Sequence, residues 1–152
     1  MSRRRRGFSL IELLIVIAII LIIVTVALPK LNNATRFAHE AAAIKAIQTI
    51  QTMQVQYNSQ YGRFATSLTE LGPPASGAAN ISSADLIDSN LAAGEKSGYK
   101  FSMTGNQSGY QISAVPVAYG NTGSRTFFSD QSMAIRENDG PEPATANSKE
   151  MK

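Results

Sequence analysis

The run from Phe8 to Leu28 limits most strongly what this chain can become: Glu12 is its only charged residue, and Ser9 and Thr25 are its only other polar ones. As a helix rising 1.5 Å per residue, these 21 residues are about 31 Å long, close to the hydrocarbon thickness of a bilayer. Such a helix can span a membrane. Four arginines, Arg3 to Arg6, precede it, and the first positive charges beyond it are Lys30 and Arg36. This bias keeps the N-terminus cytoplasmic and sends the remainder out. The 152 residues then leave room for one further domain of ordinary size.

Composition removes several function classes. No cysteine is present and His39 is the single histidine, which excludes disulfides and thiolate metal sites and leaves a serine triad or histidine-rich centre hard to assemble. The net charge of +3 is local, because four of the 14 positive side chains are Arg3 to Arg6. Without residues 1–7, ten positive side chains face eleven negative ones, a net of −1. A nucleic-acid footprint needs basic residues spread over a folded face, so no nucleic-acid partner is expected. No metal, cofactor or catalytic set is expected either.

Glu12 is the residue that needs explaining. A secretory signal peptide fits poorly, because its apolar core would be long and Thr25-Val26-Ala27 is a weak cleavage candidate. A plain one-pass anchor leaves the acid as an uncompensated cost, about 2.5 to 3.5 kcal/mol near the centre of a span and less toward an end. A cut between Gly7 and Phe8 supplies a partner, since it creates an α-amino group with an ordinary pKa of about 7.7 to 8. Within one helix this amine and Glu12 are four residues apart, and axially staggered helices can bring one subunit's amine to another's carboxylate. Opposite charges 4 Å apart are worth about 4 kcal/mol at an effective dielectric of 20, similar to the insertion cost.

Arg6-Gly7, then Phe8-Ser9-Leu10-Ile11-Glu12-Leu13-Leu14, an unbroken apolar helix and Pro29 together resemble the prepilin signature of the type IV pilin and type II secretion pseudopilin superfamily. The resemblance is strong from Arg6 to Leu31 and general beyond. It implies a prepilin peptidase and methyltransferase that cuts after Gly7 and N-methylates Phe8. It also implies an assembly role for Glu12, a helix proline at Pro29, and an inner-membrane assembly machinery. The expected product is a homo-oligomeric helical filament, extracellular or periplasmic, stored as a single-pass inner-membrane precursor. A structural pilin is the leading expectation, for adhesion, motility or a related surface function, and not an enzyme. A type II secretion pseudopilin is the alternative. An uncleaved membrane-anchored binding module is the rival from another class.

The expected fold is α+β and pilin-like: a long N-terminal helix packed on a small antiparallel sheet. Residues 1–7 are read as leader, 8–30 as apolar membrane and filament-core helix, and 31–61 as its amphipathic second half. In that half Phe37, Ala41, Ile44, Ile47, Ile50, Met53, Tyr57 and Tyr61 mark the apolar face, with Glu40, Lys45, Gln48 and Gln56 between them. Residues 62–98 form a connector with short helical turns expected at Ser67–Leu71 and Ala84–Asp88. Period-two patterning places a sheet over 99–136. One hairpin turns at 105–109, and a second joins Arg125–Ser129 to Met133–Arg136. Pro116 marks an edge or bulge. Residues 137–152 lack an apolar period and read as a flexible tail.

Other candidates have plainer readings. His39 has no second ligand at helical spacing and is expected to be solvated or at an interface. Asp130, Glu137, Asp139 and Glu142 lack a calcium-loop pattern and read as surface charge. Tyr57, Tyr61 and Phe64 suit a core, and Arg36, Lys45 and Arg63 suit contacts between subunits.

Overall fold

The computed structural model describes residues 7–151, so Arg3 to Arg6 and the leader's first six residues lie outside the described part. Two compact units meet at the Ala34 to Thr35 step. Helix α1, Leu10–Tyr61, runs through both. Two short helices follow, α2 (Leu68–Leu71) and α3 (Ser89–Ala92), and then strands β1 (Glu95–Lys96), β2 (Tyr99–Gly105), β3 (Tyr110–Pro116), β4 (Thr126–Asp130), β5 (Ile135–Asn138) and β6 (Lys149–Glu150). The six strands form one antiparallel meander in chain order. The arrangement is α+β, a long N-terminal helix followed by an antiparallel sheet.

In the second unit the C-terminal half of α1 closes one core with the sheet. Ala43, Ala46, Ile47, Ile50 and Tyr57 cluster with Tyr99, Phe101, Met103, Tyr110, Ile112, Ala114 and Phe127. Strand β2 alternates buried and exposed residues, and its inward set Tyr99, Phe101 and Met103 is the one that alternation predicts. Tyr99 pairs with Pro116 and Gly105 with Tyr110, so the hairpin turn falls at 106–109. Pro116 is tolerated because β3 pairs with β4 only over Gln111 to Ala114, and the missing N–H lies beyond that ladder.

The buried stripe of α1 differs from the expected one. Glu40, Ala43, Ile47, Ile50, Gln54 and Tyr57, at steps of three and four, are each fully or almost fully buried, whereas Phe37 is 62% exposed. Two of these core positions, Glu40 and Gln54, are polar, and partners from distant chain satisfy both. The Gln54 amide donates to the Ala65 carbonyl (3.0 Å) and accepts the Ala65 N–H (2.9 Å), a reciprocal pair that fastens the chain leaving the helix. Beside it, Gln51 Nε2 donates to Ser129 Oγ at 2.6 Å and joins α1 to β4.

Three further segments depart from expectation. Residues 84–88 are irregular instead of helical, with Asp85 at φ +54°, and the helix begins at Ser89 because Asp88 acts as its N-cap, accepting the Leu91 N–H at 3.1 Å. Met133, expected in a strand, sits in the β4–β5 turn with φ +61°. The segment after Glu137 is not a loose tail: β5 continues to Asn138, β6 pairs with it, and Ala144 is buried. Local hydrogen bonds hold this segment in the absence of an apolar period, with Thr126 Oγ1 donating to the Glu142 carbonyl (2.7 Å) and Met151 N–H to that of Ile135 (2.9 Å).

Candidate functional site

Gly7, Phe8 and Ser9 precede the first helical residue, Leu10, and Phe8 is 84% exposed. Among the described residues, nothing lies within 4 Å of a Cβ built at Gly7. The helix start is defined by Glu12, whose Oε2 accepts the Ser9 backbone N–H at 2.9 Å, while the Ser9 carbonyl accepts the Glu12 N–H at 3.1 Å. Ser9-Leu10-Ile11-Glu12 is thus a capping-box spacing, in which a carboxylate at the third helical position satisfies an N–H at the cap. The helix dipole favours the negative charge there. In the uncut chain the Glu12 carboxylate therefore already has a partner. The S-x-x-E spacing is its sequence signal.

Leu10, Ile11, Leu13, Leu14 and Ile15 are all more than half exposed, as are Leu21, Ile22 and Ile23 farther along. Among the described residues, α1 is the one helix long and apolar enough to cross a membrane, and none of that apolar window is buried within the chain. Thr25 Oγ1 donates to the Ile22 carbonyl at 2.8 Å, which removes the one hydroxyl of the mid-helix from its surroundings. Pro29 lies within α1, where its ring nitrogen offers no hydrogen to the Thr25 carbonyl four residues earlier. Apolar surface on this scale requires lipid or other protein to cover it.

The remaining sequence candidates lie in the second unit. Glu40 anchors the helix to the segment that leads into β4: Oε1 accepts the Ser124 N–H (2.8 Å) and hydroxyl (2.9 Å), and Oε2 accepts from Arg125 Nε (2.9 Å) and lies 2.8 Å from Nη2 in an ion pair. Arg125 continues to Glu137 at 2.7 Å, and Lys149 lies 3.5 Å from the same carboxylate. Glu137 is thus part of an internal ion network and not a surface charge. Arg63 is likewise used within the chain, paired with Glu70 at 3.0 Å, and Arg36 donates to the Gly120 carbonyl at 3.1 Å. Tyr57 is fully buried and donates to the Ile81 carbonyl at 2.5 Å, Tyr61 packs on it at 4.7 Å, and Phe64 meets Tyr110 edge-on at 5.2 Å. His39 is half-buried, not solvated, and its Nδ1 is buried without a hydrogen-bond partner beside Gly98 and Thr122.

Burial pushes the Glu40 carboxyl up, but the Ser124 N–H, the Arg125 guanidinium and the Ser124 hydroxyl outweigh it and hold the group below the usual carboxylate range. Burial also raises Glu70, and Arg63 with the Thr66 N–H and hydroxyl bring it below that range too. A carboxylate depressed in the folded state adds stability above its unfolded pKa, about 4.3 for Glu, and loses it as pH falls through the folded value. The folded sheet unit is therefore expected to keep a constant melting temperature from pH 7 down to about 5 and to lose stability steadily below about 4. Thermal melts of the full chain in micelles, followed by near-ultraviolet circular dichroism of its tyrosines, measure this. A flat profile to pH 3 would contradict it.

The uncovered apolar helix, with a glutamate in its first turn and exposed residues before it, suits a membrane-anchored segment. No curated protein matches the chain. A family model does match its N-terminal part, covering the arginine run, Gly7, Phe8, Glu12 and the apolar helix. Residues 2–28 match the prokaryotic N-terminal methylation motif, the prepilin signature of type IV pilins and pseudopilins, and this match supports a pilin-like or pseudopilin-like precursor.

Proposed function

We propose that this chain is the structural subunit of a type IV pilus-like filament, held in the inner membrane until a prepilin peptidase cuts between Gly7 and Phe8 and the new Phe8 amine is methylated. The observation that carries this reading is the coincidence of the methylation motif with an apolar helix that the chain leaves uncovered. Once drawn from the bilayer, that helix loses its lipid, and burial against equivalent helices supplies cohesion at about 25 cal/mol per Å² of apolar surface. A repeated contact that does not close on itself produces a fibre. Glu12 then exchanges its Ser9 cap for, or shares it with, the Phe8 amine of a neighbouring subunit. Pro29 leaves a point in the helix where a carbonyl lacks its donor and the backbone opens easily. A pseudopilus subunit of a secretion machine uses the same precursor chemistry, and long fibres sheared from the surface of wild-type cells separate the two.

Gly7→Leu tests the processing step. Open space around Gly7 among the described residues means that leucine meets none of them, so the substitution reports on the peptidase and not on folding of the described domain. The expected result is accumulation of the longer precursor in membranes, seen as a slower band on immunoblots, with surface fibres absent. Maturation at the wild-type rate would count against the cleavage site.

A further inference from the structure

The tip of the β2–β3 hairpin carries an open cleft of about 350 Å³ that the N-terminal chemistry does not use. Its walls come from the end of β2, the turn, the start of β3, and Gln131 from the β4–β5 turn. Every lining side chain is uncharged: the Thr104 and Ser108 hydroxyls, the Asn106, Gln111 and Gln131 amides, and Tyr110. Among the described residues, the Thr104 and Ser108 hydroxyls and the Gln111 and Gln131 amides have no hydrogen-bond partner in the chain. Asn106 Oδ1 accepts the Ser108 N–H (2.8 Å) and Gly109 N–H (3.0 Å), so its carbonyl is occupied by the turn and its Nδ2 remains a donor. Gly109 makes the shape possible, because a Cβ there would lie 2.7 Å from Gln131 Oε1 and push that amide off the turn. Asp130, opposite Gln111 in the β3–β4 pairing, holds the Ser132 N–H through Oδ1 (2.9 Å) and does not line the cleft.

These groups narrow the ligand chemistry. A phosphate or carboxylate ligand would find no cation in the lining, and a divalent metal would find no carboxylate. An apolar ligand would find walls of amide and hydroxyl. Closely spaced neutral donors and acceptors, free of internal partners, match a ligand with many neutral hydroxyls. We propose that this cleft binds an uncharged saccharide of one or two rings. Tyr110 is only 2% exposed and offers little face for stacking, so recognition rests on hydrogen bonds formed in competition with water. Affinity per site is therefore in the millimolar range. Repetition along a fibre would turn this into avidity, a consequence that rests on the filament reading, whereas the cleft itself does not.

The test uses the full chain, ¹⁵N-labelled, in phosphocholine micelles, because glucoside and maltoside detergents would compete for the site. Lactose, mannose and N-acetylglucosamine are titrated separately, with galacturonate as the charged control. The expected result is saturable amide shifts confined to residues 104–111 and 131 with at least one neutral sugar. Gln131→Ala and Gln111→Ala should each weaken that binding about tenfold, and the melting temperature shows whether either variant is misfolded. No saturable shift with any of the three sugars, unchanged affinity in both variants, or tighter binding of galacturonate would each overturn the assignment.

Discussion

Chains carrying Glu12→Val are expected to enter the membrane and be cut, yet to yield at least about tenfold fewer sheared fibres than wild type. Valine removes an insertion cost of up to about 2.5 to 3.5 kcal/mol, so membrane entry improves. On the pairing account, what it takes away is the carboxylate that would meet a neighbour's Phe8 amine, a contact worth about 4 kcal/mol at 4 Å and an effective dielectric of 20, gained at every subunit added. The capping bond from the Ser9 N–H introduces a competing explanation, because its loss also frays the helix start, at about 1 kcal/mol. Glu12→Gln separates the two. Glutamine at the third helical position can still accept the Ser9 N–H but carries no charge. On the pairing account Glu12→Gln fails to assemble almost as completely as Glu12→Val. Wild-type fibre yield from Glu12→Gln would assign the residue to helix capping alone.

The second large effect concerns stability. Glu40→Ala is expected to cost about 3 kcal/mol and to lower the melting temperature of the sheet unit by on the order of 10 °C. Glu40 is 1% exposed and receives three hydrogen bonds from Ser124 and Arg125 beside an ion-pair contact with Arg125 Nη2, so alanine leaves a partly buried guanidinium short of one of its two acids and two Ser124 donors without an acceptor. Arg125 remains paired with Glu137 and is partly exposed to water, which places the cost at the lower end of the range for a broken buried pair. Guanidinium chloride unfolding of the full chain in micelles reads the change as a shift of midpoint with unchanged slope. A shift worth less than about 1 kcal/mol would reduce this network to surface electrostatics.

The N-terminal segment was legible because its determinants are local. An apolar run of spanning length, a charge imbalance at one end and a glutamate four residues after a glycine–phenylalanine step can be read without knowing what lies beside them. Strand alternation was legible for the same reason, and Tyr99, Phe101 and Met103 face inward as their spacing requires. Reading failed where a residue's environment is set by distant chain. Glu40 and Gln54 look like the polar side of an amphipathic helix until Ser124, Arg125 and Ala65 are brought to them, and these partners are 84, 85 and 11 residues away in sequence. Phe37 failed in the opposite sense: it extends the apolar period but is mostly exposed. The segment after Glu137 is ordered by hydrogen bonds to β4 and β5, which leave no trace in hydrophobic patterning.

At the N-terminus, the capping box shows that the Glu12 carboxylate is engaged before any cut is made. On the proposed account, processing therefore adds a cation next to an acid already fixed in place at the helix start. The acid's position in the first turn is what makes it reachable from an adjacent helix end, since Phe8 and Ser9 lie outside the helix and Phe8 is almost fully exposed.

Intact mass determination of the chain recovered from surface-sheared fibres tests the central claim most directly. The account predicts a single species with the mass of residues 8–152 plus one methyl group, with fragmentation placing that methyl on the Phe8 amine. A surface chain that still carries Arg3 to Arg6 ahead of Phe8, or one recovered only as dispersed monomer, would contradict it.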